Sequence, residues 1–321
     1  MIRNFLLTLL LLPLFSEAQV QLGTMINNGQ LPAPGDSIHS VGTYIDSTYT
    51  FMDSGFQVGD LVRDFILYDT ANVPCQLSQL LASGKPVFLT TGSFTCPAYR
   101  YSMDKILPDL ISMFGQQVVF VNIYQLEAHP EAPDFSPFYG RVSNPDQNKT
   151  DHVVVPQHVT YSDRRNAAIA SMNKMGAPCK VLLDGPGNEY WSTFGPSPNN
   201  AYLITPKGWV YAKYGWLNQS KSQAITDINL LLSTTGINAM PSQSLVGAFA
   251  NPGNKHSVLM SVADQPFTLE VTSASGELIL TKQLLPGQPF AIGAALPSVG
   301  VYMLAVKAEG HEEMIRYVKS R

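Results

Sequence analysis

Residues 86–100 read PVFLTTGSFTCPAYR. The first seven are uncharged, apolar or β-branched, and predict a buried strand. Gly92 and Ser93 end that run. Pro97 suits the first turn of a helix, where its missing N–H is no loss. Cys96 is thereby placed at a strand-to-helix turn. Beyond it, Met103, Ile106, Leu107, Leu110, Ile111 and Phe114 recur at three and four and predict one apolar helix face ending at Gly115. Pro108 within it predicts a kink.

Working outward, DFILYD (64–69) and QQVVFVNIYQ (116–125) are strand candidates, and QLSQLLA (76–82) is a short helix closed by Gly84. Residues 126–157 form a long irregular insertion, a kind of loop that is usually functional or mobile. A helix at 162–175 follows, with Ser162 or Asp163 as its cap. Strand KVLLD (180–184), two strands in NAYLITPKGWVYAKYG (200–215) and a helix at 220–236 complete the order. Strand, helix, strand, helix, strand, strand, helix predicts an α/β thioredoxin-like domain over 58–236, a mixed sheet flanked by helices. Residues 19–57 read as an extended lead-in with a strand at Tyr49–Met52. Residues 237–245 read as a linker. The short strand-like runs of 246–321 predict a small all-β sandwich of about seven strands.

The chain has 321 residues, a net charge of -4 and only 14% charged residues. No basic block suggests nucleic acid. The N-terminus MIRNFLLTLLLLPLFSEAQ has a positive start, a short apolar core and a small-x-small site at 16–18, and predicts a signal peptide over 1–18. The apolar run is short of a membrane span, so the mature protein is expected to be exported, without a transmembrane segment. Export makes the three cysteines, Cys75, Cys96 and Cys179, an odd set in an oxidising compartment.

Cys96 has a specific physical expectation. A helix N-terminus favours negative charge and can lower a thiol pKa, which makes a reactive thiolate. No C-x-x-C is present, since 93 is Ser and 99 is Tyr. No P-loop, G-x-S-x-G or zinc spacing occurs, and no metal is expected. Glu127, His129, His152 and His158 lack a spacing that would place them on one element.

GSFTCPAYR resembles the signature of the iodothyronine deiodinases, whose GSCTUPPF carries selenocysteine (U) where Cys96 stands. FVNIYQLEAHP (120–130) resembles the family's strand into E-A-H. QHVTYSDRRNAA (157–168) resembles its H-x-x-x-x-D-R-x-x-A-A segment. APCKVLLD and NNAYLITPKGWVYAKYG resemble its next strand and hairpin. The resemblance covers about residues 60–232. It implies a thiol-dependent oxidoreductase with Cys96 as redox nucleophile, Glu127 and His129 as the E-A-H pair, and His158 and Arg164 as further site residues. Ser93, Thr95, Pro97 and Pro198 would support the site, with Pro198, or alternatively Pro196, as the cis-proline facing the sulfur. Here Phe94 and Ala98 replace a family cysteine and proline, and sulfur replaces selenium. An external thiol reductant is expected in place of a bound cofactor, with a small-molecule or thiol substrate. Cys179 or Cys75 are candidate resolving thiols.

Two other readings stand beside it. A peroxiredoxin-like thiol peroxidase would place Ser93 three before the cysteine and use Arg164 or Arg165 to hold the thiolate. A non-catalytic binding protein would keep the fold alone. Finally, Asn251-Pro252, Ser275-Gly276-Glu277-Leu278, Gly300-Val301-Tyr302 and the basic end RYVKSR resemble the C-terminal sorting domain of the type IX secretion system. That resemblance implies type IX machinery as the partner of residues 246–321, and a secreted or surface location in a Gram-negative bacterium.

Overall fold

The run PVFLTTG is the middle of the molecule. In the computed structural model, which describes residues 20–40, 51–235, 244–247 and 249–321, Val87–Gly92 forms a strand whose six residues are all buried. The expected signal peptide and most of the expected linker lie outside the described residues.

In chain order the first part contains β1 (Ile66–Asp69), β2 (Pro74–Gln76), α1 (Leu77–Ala82), β3 (Val87–Gly92), α2 (Pro97–Tyr101), α3 (Leu107–Phe114), β4 (Val119–Tyr124), α4 (Asp146–Thr150), α5 (Tyr161–Met175), β5 (Lys180–Leu183), α6 (Glu189–Phe194), β6 (Asn199–Ile204), β7 (Val210–Tyr214) and α7 (Lys221–Thr235). The seven strands make one sheet in the order β2-β1-β5-β4-β3-β6-β7. β3, β4 and β5 run parallel, while β6 is antiparallel to β3 and β1 is antiparallel to β5. This is the thioredoxin-like mixed sheet with helices on its faces. Side-chain alternation along β3 shows both faces covered: Phe88 belongs to one core cluster, with Leu107, Leu110 and Ile228, while Val87 and Leu89 belong to the other, with Leu81, Tyr190 and Phe194.

Several local expectations change. Pro108 does not kink a continuous helix. A wide π-turn, Ser102–Ile106, precedes it, with the Leu107 N–H reaching the Ser102 carbonyl. The proline then sits in the first turn of α3, where no N–H is required of it. α5 begins at Tyr161, capped by Thr160 in a reciprocal box with Asp163, so neither Ser162 nor Asp163 is the cap. The described part of the expected strand at 49–52 is a 3-10 turn, Phe51–Asp53. Among the described residues of the lead-in, Gly23 pairs with Arg63 and Ser37 with Thr160.

The C-terminal part contains β8 (Leu259–Met260), β9 (Phe267–Ser273), β10 (Leu278–Leu284), β11 (Pro289–Phe290), α8 (Ile292–Ala295), β12 (Gly300–Ala308) and β13 (His311–Lys319). These form a four-stranded antiparallel sheet, β10-β9-β12-β13, and a two-stranded one, β11-β8. Among the described residues six strands stand in place of the seven or so expected. Pro289–Phe290 is a two-residue strand followed by a helical turn, and the charged segment from His311 to Lys319 is a strand. Phe267, Leu269 and Val271 of β9 meet Leu304 and Val306 of β12 and Leu259 of β8 in one core.

Two members of that C-terminal part, Val258 and Met260, are buried in the same cluster as Tyr211, Leu217 and Leu231 of the first part. Gln288 donates to the Gly59 carbonyl at 3.0 Å, and the Thr234 hydroxyl meets Met260 Sδ at 3.4 Å.

Candidate functional site

Strand β3 ends beside β4 and β6, with Gly92 paired to Tyr124 on one side and to Asn199 on the other. The chain then turns through Ser93–Thr95, and Cys96 caps α2. Its Sγ accepts the Tyr99 N–H at 3.4 Å, and its carbonyl accepts the Arg100 N–H. The location expected from the sequence is therefore met.

Its electrostatics are not. Cys96 is 2% exposed. Burial pushes its thiol up to about 11, against the Tyr99 and Ala98 N–H groups and the Arg100 charge, which all favour the thiolate. Glu127 adds to the rise. The helix terminus acts in the expected direction, but desolvation outweighs it.

The 126–157 insertion packs against the same core. Ala128 and Phe138 pack into the cluster that contains Cys96. Asn148 of α4 donates to the Thr95 carbonyl at 2.8 Å and accepts from Arg100 at 2.9 Å. Arg100 also donates to the Phe94 carbonyl at 2.8 Å and to Asp151 at 2.7 Å. The insertion is thus a packed lid.

Glu127 is the hub of the site and is fully buried. One carboxylate oxygen accepts from the Thr95 N–H at 2.9 Å and the Thr95 hydroxyl at 2.6 Å. The other accepts from the Tyr124 hydroxyl and lies 3.2 Å from His158 Nε2, off the line of an ideal hydrogen bond. Burial alone would raise Glu127, but His158, Thr95 and Tyr124 together hold it below the usual carboxylate range. Burial lowers His158, with Glu127 opposing. The pair is a carboxylate beside a neutral imidazole. His158 Nδ1 is buried without a partner, and the ring lines a cavity of about 400 Å³ with Ile38, His39, Leu126, Phe135 and Gln157.

His129 is close in the chain but differently occupied. Its N–H donates to the Thr95 hydroxyl, its Nδ1 faces the Ser143 carbonyl at 3.0 Å, and its ring stacks on Tyr139. Burial lowers its pKa as well. His152 is on an exposed turn after α4. Among the described residues, no three His, Cys, Asp or Glu side chains converge as a metal site.

Other expected site residues are placed elsewhere. Arg164 is fully buried, but it binds the Asp184 and Gly185 carbonyls at 2.8 and 2.7 Å and Asn188 at 2.6 Å. It organises the β5–α6 turn and does not reach Cys96. Arg165 binds the Thr70 carbonyl. Ser93 accepts the Ala128 N–H, so it fastens the lid. Pro198 lies next to the cysteine turn through the β3–β6 pairing, but its peptide bond is trans, as is that of Pro196; among the described residues the cis prolines are Pro133 and Pro252.

The three cysteines are unpaired. Cys75 sits in the core cluster on the opposite face of the sheet from Cys96. Cys179 precedes β5, whose Lys180 pairs with Val121, itself level with Leu89. Gly92 is three residues further along, about 10 Å at a strand's rise. The Tyr99 ring lies under Gly92, and its hydroxyl reaches Asn122 at 3.0 Å. A disulfide needs Cα atoms within about 7 Å, so neither cysteine resolves Cys96 in this conformation. Burial also pushes the Cys179 thiol up to about 12.

Arg100, Tyr124 and Asn148 were not singled out from the sequence. The only signal for Arg100 was its place four residues after Cys96, on the same helix face. Tyr124 and Asn148 carried none.

A search of curated proteins finds no match. Solved structures give distant similarities. A Chlorobium tepidum protein described as a candidate thiol:disulfide interchange protein DsbE is 16% identical, with 56% of this chain and 99% of that one covered and a TM-score of 0.39. Peroxidoxin BcpB from Mycobacterium tuberculosis is 18% identical over 54% and 96%, with a TM-score of 0.35. The family model of iodothyronine deiodinase matches residues 19–219. That match takes in the lead-in, the sheet through β7, the lid and the Cys96–Glu127–His158 cluster, more than half of the 321 residues, and the chain belongs to the iodothyronine deiodinase family.

Proposed function

We propose that the protein is a thiol-dependent oxidoreductase that uses Cys96 as its redox nucleophile and an external thiol as reductant. The observation that carries this is the Glu127 hub, which fixes the residue before the cysteine through both its N–H and its hydroxyl. A carboxylate buried beside an imidazole is costly to keep unless the turn it positions has a task. The substrate is a small molecule carrying a reducible halogen or peroxide. The Cys96 sulfur supplies two electrons and takes the halogen or oxygen. A first external thiol displaces it to give a mixed disulfide, and a second releases Cys96 as thiol with its own disulfide as product. Two external thiols are required because Cys75 and Cys179 are out of reach.

A peroxiredoxin-like thiol peroxidase is the weaker form of this chemistry, because Arg164 and Arg165 are committed elsewhere. A binding protein on the same fold is the second reading, and the buried, protonated Cys96 favours it. Export forms part of the proposal, with residues 1–18 as signal and 246–321 as address for type IX machinery. Its support is the sequence pattern of each segment.

The test is turnover of haloaromatic and peroxide substrates with a dithiol, compared between wild type and Cys96→Ser. Loss of turnover in the variant is expected. Equal turnover would remove Cys96 from the chemistry. Alkylation of native Cys96 by iodoacetamide should also be slow at pH 7 and rise toward pH 11. A midpoint below the free-thiol value would show that burial does not govern the sulfur.

A further inference from the structure

Arg100 is the cation nearest in sequence to Cys96, one helical turn on. It is also the group that ties the cysteine turn to the lid. Its guanidinium is almost fully buried, with donors on the Phe94 carbonyl, on Asn148 and on Asp151. Asp151 follows α4 and is partly open to solvent, with a side chain 33% exposed. A cavity of about 340 Å³ lies along this seam, lined by Pro97, Arg100, Tyr101, Gln147, Asp151 and Met175.

We propose that Asp151 is a restraint on the reactivity of Cys96: its carboxylate offsets the Arg100 guanidinium and, with Asn148, latches α4 over the cysteine turn. Lifting α4 releases the Thr95 carbonyl beside the cysteine and frees the cation that favours its thiolate in one movement. Arg100 is a positioning residue, since it acts through the charge at Cys96 and through the latch. The meaning for catalysis rests on Cys96 as nucleophile, but the effect on the thiol does not.

The groups that bear on Cys96 fix the signs. Arg100, from α2, favours the thiolate. Glu127, from the segment after β4, opposes it. The Tyr99 and Ala98 N–H groups favour it, and burial opposes it most. His129, on the same segment as Glu127, is neutral. Asp151 acts on Arg100, and the Asp151 carbonyl also accepts from Lys174. Lys174 and Asp104 line the same seam, and removing the Asp151 charge leaves the Arg100 guanidinium without its carboxylate partner.

The experiment is alkylation of the full chain at pH 8 by neutral iodoacetamide and anionic iodoacetate, with the modified site mapped by mass. Asp151→Asn should speed Cys96 alkylation about tenfold, equivalent to a tenfold larger thiolate fraction, and should favour iodoacetate over iodoacetamide. Arg100→Gln should lower the iodoacetate preference below that of wild type. A latch without the charge effect would make both variants faster with the ratio of probes unchanged, and that result overturns the proposal. So does an Asp151→Asn protein that alkylates at the wild-type rate. If Arg100→Gln shows no cooperative melt, Arg100→Lys replaces it and must keep the wild-type probe ratio. Failure of Cys96→Ser to lose turnover would remove the oxidoreductase reading and leave these rates as they are.

Discussion

Replacing Glu127 by alanine is expected to lower the unfolding free energy by about 3–5 kcal/mol, the range for breaking a buried charged cluster. Four groups converge on that carboxylate: the Thr95 N–H, the Thr95 hydroxyl, the Tyr124 hydroxyl and His158. Thr95, Tyr124 and His158 are all buried. Glu127→Gln keeps the volume but turns an amide N–H₂ toward donors, and should cost about 1–3 kcal/mol. Urea unfolding at pH 7.5 measures both. A loss below about 1 kcal/mol in Glu127→Ala would show that the cluster is held from elsewhere. The pH dependence follows from the same groups. The His158 pKa is depressed in the fold, so its contribution is present above the ordinary value of 6.5 and is lost as pH falls through the folded value. Glu127 is depressed too, and its share is present above 4.5 and lost at lower pH. Wild type should lose stability on acidification in that order. Glu127→Ala should lose it more steeply below pH 6.5, because no anion remains to receive a protonated His158.

Gly92→Ala is expected to cost about 2–3 kcal/mol, at the upper part of the range for overpacking. A methyl at Gly92 would stand 2.5 Å from Tyr99 Cγ and 2.9 Å from its Cβ. The backbone cannot retreat, since Gly92 pairs with Tyr124 and Asn199 on both sides. Tyr99 cannot easily swing, since its hydroxyl is on Asn122 and its N–H on Cys96. The strain passes directly into the cysteine turn, so Cys96 alkylation should also quicken. Combining Gly92→Ala with Tyr99→Ala should cost less than the sum of the two, and strict additivity would place the clash elsewhere.

The architecture was legible because its signals are local. VFLTTG and VFVNIY are apolar runs of strand length, and the helix after Cys96 carries its apolar face at three and four. β13 was not legible as a strand: HEEMIRYVK alternates, but its outward positions mix Glu312 and Arg316 with the apolar Met314, and its inward ones include the polar His311 and Glu313. The reciprocal cap at Thr160 and Asp163 was available as a Thr-x-x-Asp pattern and was placed two to three residues late. Cys96 shows the limit most clearly. Its position at the strand-to-helix turn follows from ten neighbouring residues, whereas its thiol is raised by burial, and the cluster that buries it includes Ala128 and Phe138, 32 and 42 positions away. Arg164 failed for the same reason. Its charge was visible, but the carbonyls of Asp184 and Gly185 that occupy it were not.

Val258 and Met260 extend from the C-terminal sheets into the core of the first part. Two side chains of that size exclude solvent to the extent of roughly 3–6 kcal/mol. A segment joined in this way is a shareholder in the stability of the fold it follows. The two halves should therefore unfold in a single calorimetric transition, and a protease that trims the chain after α7 would leave the first part with some of its own interior facing water.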